Sequence, residues 1–155
     1  MTIKVGEKVP AVSLPASTGG TISISDYKGK YVILYFYPKD MTPGCTTQAC
    51  DFRDYSKELE KVNAVVLGVS PDPLSRHEKF IEKYDLPFPL LSDEEQELSK
   101  LFDVWKLKKN FGKEYMGIER STFVIDQEGK LAKEWRKVKV QDHVKEVLDY
   151  IFQMS

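Results

Sequence analysis

Cys45 and Cys50 are the only thiols of this chain, and the residues around the first are of the types that make a thiol reactive. Thr42 suits a helix N-cap, Pro43 suits the first helical position, and Cys45 then falls third in the helix. At that place the unpaired backbone N–H groups and the positive end of the helix dipole favour a thiolate over a thiol. Such a setting, with a cation nearby, lowers a cysteine pKa from about 8.5 into the range of roughly 3.5–7.5. The competing readings are that Cys45 is a small buried hydrophobe, as most free cysteines are, and that Thr42 is ordinary capping chemistry.

Cys50 follows five residues later. In an intact helix that spacing gives about 7.5 Å of rise and about 140° of rotation, so the Cα atoms sit roughly 8–9 Å apart. A disulfide needs less than about 7 Å. The two sulfurs can join only if the first turns of the helix unwind, and otherwise Cys50 is an inert thiol. If it reacts, the protein alternates between a folded reduced state and a locally unfolded oxidised one.

A thiolate at a helix start can attack a disulfide or a peroxide, or bind a metal. Dithiol exchange usually uses C-x-x-C, whereas this pair is C-x4-C. A structural zinc site wants four ligands, and the other soft candidates, His77 and His143, read as solvated helix residues without ligand spacing. Peroxide is favoured, because sensitive thiols are low in pKa, accessible and placed near a resolving cysteine. A non-catalytic redox switch or metal-binding module, and a general disulfide oxidoreductase, are the alternatives. Phe36, Trp105 and Phe111 are candidates for an apolar approach to Cys45, although aromatic side chains are more often core.

The elements that must position these residues are legible in the pattern. Pro10, Pro15, Gly19-Gly20 and Gly29 punctuate a first stretch in which Thr21–Ser25 alternates, which predicts an N-terminal β-hairpin. Tyr31-Val-Ile-Leu-Tyr-Phe-Tyr37, ended by Pro38, predicts a central strand buried on both faces. Residues 45–61 place Ala49, Phe52, Tyr55 and Leu59 on one face of a helix. Ala64–Ser70 is a second buried strand, and Asp72-Pro73 opens a helix to about Tyr84 with Phe80, Ile81 and Tyr84 inward. This βαβ unit predicts parallel strands. Then come a short strand at 88–92, a short helix at 95–102, an irregular stretch at 104–117, an antiparallel hairpin at 121–125 and 130–136, and a closing helix over about 142–152. That order is an α/β domain of thioredoxin-like type, a central mixed β-sheet flanked by helices, spanning 1–155 as one domain.

With 155 residues, 41% hydrophobic, and 23 basic against 24 acidic side chains, the chain is globular rather than disordered. Its charges make no electrostatic case for nucleic acid or an anionic membrane. The longest apolar run falls far short of the roughly 20 residues of a membrane span. No secretory signal is visible at the start, so a cytoplasmic location is expected. Two cysteines make no disulfide framework, so their use here is reactivity.

Pro38-Lys-Asp-Met-Thr42-Pro-Gly-Cys45 resembles the P-x-x-x-[TS]-x-x-C motif of peroxiredoxins, and with Cys50 the chain is similar to their bacterioferritin comigratory protein, or PrxQ, branch. The resemblance continues through Tyr35-Phe-Tyr-Pro38, Gly68-Val-Ser-Pro-Asp72 and Gly117-Ile-Glu-Arg-Ser-Thr-Phe-Val-Ile125. It implies a thioredoxin-like fold and a thiol peroxidase for hydrogen peroxide and organic hydroperoxides. Cys45 would be peroxidatic and Cys50 resolving. Pro38 would shield the thiolate, Thr42 would hydrogen-bond the peroxide and Arg120 would be the active-site arginine. Gln48 stands where many peroxiredoxins outside this branch have Glu. The implied partner is a thioredoxin-like dithiol reductant, the protein acts as a monomer, and neither metal nor organic cofactor is required.

Overall fold

The computed structural model describes residues 3–154; Met1, Thr2 and Ser155, the ends of the expected 1–155 domain, lie outside the described residues. The chain forms β1 (Ser13–Pro15), β2 (Thr21–Ser23), a 3-10 turn (Ile24–Tyr27), β3 (Tyr31–Phe36), α1 (Pro43–Asp54), α2 (Ser56–Lys61) and β4 (Ala64–Ser70). It continues with α3 (Leu74–Tyr84), β5 (Leu90–Ser92), α4 (Glu97–Leu101), β6 (Trp105–Asn110), β7 (Lys113–Ile118), β8 (Ser121–Ile125), β9 (Leu131–Trp135) and α5 (His143–Met154). β1 and β2 form the N-terminal hairpin. The main sheet has the order β5-β4-β3-β8-β9.

β3 is the middle strand, parallel to β4 and antiparallel to β8. Its period-2 alternation divides the core in two. Ile33, Tyr35 and then Tyr37 point to one side, with Cys45, Ala49 and Phe52 of α1, Phe80 of α3, and Val144, Val147 and Ile151 of α5. Val32, Leu34 and Phe36 point to the other, with Leu14, Ile24, Leu98, Phe102 and Ile118. Burial on both faces is why this strand is a continuous apolar run rather than an alternating one. On the neighbouring strand Gly68 pairs with Tyr35, and a Cβ there would stand 2.7 Å from a Leu90 methyl and 3.0 Å from the Tyr35 ring. The missing side chain is what lets the Leu90 methyl and the Tyr35 ring come this close to β4.

Two expectations are corrected. The helix expected over 45–61 breaks at Tyr55 (φ −107, ψ 12), which separates α1 from α2. Tyr55 is exposed rather than inward, whereas Leu59 is still buried because α2 starts again in its own register. The stretch 104–117 is not irregular. It is the β6–β7 hairpin, closed by a two-residue turn in which Phe111 (φ 51) and Gly112 (φ 76) both have positive φ. Among its described side chains only the base, Trp105 opposite Ile118, packs on the core. The rest has no buried face to impose alternation, and a Phe in the first turn position hides the usual Asn-Gly or Asp-Gly signal.

No helix among the described residues is long and apolar enough to cross a membrane.

Candidate active site

The start of α1 lies at one end of the central sheet. β3 ends at Phe36, the chain turns through Pro38–Thr42, and Cys45 is the third residue of α1, as the capping pattern predicts. Thr42 has the extended backbone of an N-cap (φ −79, ψ 154), but its side chain does not cap the helix. Its hydroxyl instead donates to the Lys39 carbonyl at 2.8 Å. With its proton engaged there, Oγ1 keeps acceptor capacity for a hydrogen-bonding group. Thr46 N–H already reaches the Thr42 carbonyl at 2.9 Å. The amides of Gly44 and Cys45, inside the first turn, have no carbonyl four residues back within the helix.

Arg120 precedes β8, and Ser121 pairs with Phe36. That register brings Arg120 to the same sheet end as the α1 start, 75 residues away in sequence from Cys45. Its Nη2 donates to Cys45 Sγ at 3.2 Å, and its Nη1 donates to Gln48 Oε1 at 2.6 Å. The planar fork thus spans two residues three apart on one helix face. A guanidinium has donors only, so the sulfur is the acceptor in this contact. Gly44 gives the fork its path: a Cβ there would lie 3.3 Å from Arg120 Nη2. Gln48 is fully buried and its Nε2 has no hydrogen-bond partner. Sequence reasoning noted Gln48 only as a family variation and missed Gly44; a small residue directly before the cysteine was the signal available.

Cys45 is buried and Cys50 half-buried, both are free thiols, and both lie in the unbroken α1. The helical separation of roughly 8–9 Å between their Cα atoms stands. Pro38 is half-buried in the loop after β3. The aromatic candidates are not an approach to Cys45. Phe36 and Trp105 pack in the cluster on the other face of the sheet, and Phe111 is 96% exposed at the tip of the β6–β7 hairpin. On the opposite hairpin face from Trp105, the half-buried Lys108 is held below the usual lysine range, by desolvation first and by the Arg120 charge next.

Neither histidine is solvated. His77 is fully buried and bonded to Asp40 and to the Leu91 carbonyl. His143 is buried at the start of α5, 2.8 Å from Thr122 Oγ1. Burial first, and the Arg120 charge second, push the His143 pKa down to about 4. Both were misjudged because polar neighbours in sequence do not show which helix face meets the sheet. No group of three or more His, Cys, Asp or Glu side chains among the described residues could hold a metal ion.

Residues 5–134 match the model of the AhpC/TSA family. The chain is 63% identical to Peroxiredoxin Bcp of Bacillus subtilis (strain 168), over 100% of this chain and 99% of that one. It is 42% identical to Peroxiredoxin Bcp of Escherichia coli (strain K12), over 96% of each. Among solved structures, a cysteine-to-serine mutant of Xylella fastidiosa PrxQ superimposes with a TM-score of 0.94 at 37% identity, covering 99% of this chain and 98% of that one. Xanthomonas campestris bacterioferritin comigratory protein, studied for its alkyl peroxide reduction activity, superimposes with a TM-score of 0.91 at 39% identity, covering 97% and 99%. These likenesses cover the whole α/β architecture and the segment that carries Cys45, and the chain belongs to the AhpC/TSA family, within its Bcp/PrxQ peroxiredoxins.

Proposed function

We propose that this peroxiredoxin reduces hydrogen peroxide and organic hydroperoxides at Cys45, with Cys50 as the resolving thiol. The observation that carries the reading is the Arg120 Nη2 contact of 3.2 Å to Cys45 Sγ at the first turn of α1. The thiolate is the nucleophile of such chemistry. Its attack on one peroxide oxygen breaks the O–O bond, oxidises the sulfur to sulfenic acid, and leaves an alkoxide or hydroxide that takes a proton. Negative charge develops on the leaving oxygen, and donors fixed in advance stabilise it. Arg120 and the Gly44 and Cys45 amides supply them, while Thr42 Oγ1 accepts from the hydroperoxide O–H and so orients it. Pro38 shields the site without offering a competing N–H.

Resolution follows. The first turns of α1 unwind, the Cys50 thiol attacks the sulfenic sulfur, water leaves, and a disulfide forms. An external dithiol of the thioredoxin type then returns both thiols by exchange. The alkyl peroxide reduction activity of the Xanthomonas relative supports organic hydroperoxides as substrates. We read the chain as one domain that works as a cytoplasmic monomer, with no metal or organic cofactor.

Stopped-flow measurement of Cys45 oxidation by peroxide tests the first step. Cys45→Ser should abolish turnover and Cys50→Ser should leave the first oxidation intact. Mass spectrometry after one equivalent of peroxide should show a Cys45–Cys50 bridge. A slow reaction would favour a redox switch, and a persistent sulfenic acid or an intermolecular link would overturn the resolving role.

A further inference from the structure

Directly ahead of Thr42 the chain carries a buried polar cluster that the peroxidase chemistry does not use. Asp40 is 1% exposed and His77 fully buried, although the two lie in the loop after β3 and in α3 respectively. His77 Nδ1 lies 2.6 Å from Asp40 Oδ2, and Nε2 lies 2.9 Å from the Leu91 carbonyl. A carbonyl only accepts, so Nε2 carries a proton, and the short Nδ1 contact holds one more between the two residues. Tyr37 donates its hydroxyl to the other Asp40 oxygen. Burial first, and then the negative charges around it, hold the Tyr37 pKa well above its ordinary range, which keeps that proton in place.

The backbone of Asp40 is held as well. Its N–H donates to Asp72 Oδ2 at 2.7 Å, and its carbonyl accepts from Arg76 Nη2 at 3.1 Å. Ser70 Oγ donates to the same Asp72 oxygen at 2.8 Å, and Arg76 Nε forms a 3.4 Å ion-pair contact with Asp72 Oδ1. One loop residue is therefore fixed through all four of its polar groups, to Tyr37 just past β3, to α3 and to Asp72 just past β4. The next residue, Met41, has a φ of 64°, and the one after is Thr42. Burying a carboxylate and an imidazole together is weak support for stability, because an apolar core does as well, and a better way to fix a register.

We infer that Asp40 and His77 are positioning residues for the reaction at Cys45: their buried pair fixes the loop that delivers Thr42 and the first turn of α1 to the sulfur. The inference rests on the reading of Cys45 as the reacting sulfur. Peroxide chemistry needs Thr42, the α1 amides and Arg120 aligned on one substrate, whereas alkylation of the same sulfur needs only a reachable nucleophile. The two reactions should part company when the pair is cut.

The test compares Asp40→Ala, Asp40→Asn and His77→Asn in the full chain carrying Cys50→Ser. In each, stopped-flow oxidation of Cys45 by hydrogen peroxide is set beside its alkylation by iodoacetamide. Asp40→Ala should slow oxidation by about 10- to 100-fold and alkylation by less than about threefold, since a misplacement near 1 Å has such a cost for aligned chemistry. Asp40→Asn should restore most of the loss. Its amide oxygen accepts from Tyr37, and its N–H donates to Nδ1 of a neutral His77 that still donates to Leu91. His77→Asn keeps a donor for Asp40 but cuts the strut to Leu91, and should slow oxidation several-fold; it decides the matter if Asp40→Ala does not fold. Unchanged oxidation in folded Asp40→Ala or His77→Asn, or equal losses in oxidation and alkylation, would overturn the inference. Oxidation of Cys45 in the Cys50→Ser parent is the control: its absence would sink the reading of Cys45 instead.

Discussion

Replacing Gln48 with alanine should push two steps of the cycle in opposite directions. Gln48 Oε1 accepts from Arg120 Nη1 at 2.6 Å, and the same guanidinium holds Cys45 Sγ through Nη2. The closed helix is thus latched by a cation that grips it at two points one turn apart. A hydrogen bond to a charged group contributes about 1.5–3 kcal/mol. Arg120 is half-buried and regains water when Gln48 is truncated, so the low end applies. Losing about 1.4 kcal/mol raises the population of the opened α1 about tenfold. Disulfide formation from the Cys45 sulfenic acid should therefore accelerate by up to about that factor, while the first oxidation slows several-fold because Arg120 is no longer braced. Stopped-flow mixing with excess peroxide, followed by intrinsic tryptophan fluorescence, separates the steps, since only the first depends on peroxide concentration. A second phase that is unchanged or slower, in a folded variant, would refute the latch.

Other outcomes follow from the same geometry. Gly44→Ala would put a methyl 3.3 Å from Arg120 Nη2, and the fork must shift by a few tenths of an ångström. Peroxide oxidation should fall by roughly two- to tenfold with the fold intact, and an unchanged rate would mean that Arg120 has room to spare. Arg120→Lys keeps the charge but not the two-point grip. Its oxidation rate should drop by about 10- to 100-fold, and near-native activity would show that charge alone suffices. His143 has its pKa at about 4 in the fold, against about 6.5 when unfolded. Its buried neutral form contributes stability above pH 6.5, and that contribution is lost as pH falls towards 4. At pH 5 the loss is about 2 kcal/mol. Urea denaturation at pH 7.5 and pH 5 should show a smaller difference for His143→Gln than for the parent, and equal differences would refute the assignment.

The legible parts of this molecule are those in which local chemistry and tertiary environment agree. β3 was readable because both of its faces are buried, and the α1 start because Thr42, Pro43 and Cys45 occupy capping positions. Arg120 was different. Nothing near it in sequence marks it, and its contact with Cys45 depends on the β3–β8 register; only the family resemblance reached it. The histidines failed for a related reason. His77 and His143 have charged neighbours in sequence, yet each turns its ring onto a partner supplied by a distant element, Asp40 and Thr122. The β6–β7 hairpin failed because a two-stranded ribbon with one buried pair at its base imposes no alternation.

The two attachments of the α1 start are built to different specifications, and the difference matches what each must do. On the Asp40 side the carboxylate and its Tyr37 and His77 partners are almost wholly buried, and none of them hydrogen-bonds to the sulfur. On the Arg120 side one of the two acceptors is Cys45 Sγ, the sulfur proposed to react. A charge-assisted hydrogen bond is roughly twice as strong as a neutral one. In the proposed cycle, conversion of a Cys45 thiolate to sulfenic acid removes the charge that Nη2 would grip, so the latch would weaken only after the peroxide has been consumed. Unwinding would then begin beyond the fixed Asp40, free Cys45 to reach Cys50, and leave the loop in place to rebuild the site on reduction. The Cys45→Ser variant, which cannot form a sulfenic acid at position 45, should show no peroxide-dependent rise in hydrogen exchange over 43–50, whereas Cys50→Ser should show one. Equal protection of α1 in reduced and peroxide-treated Cys50→Ser would refute an oxidation-triggered release.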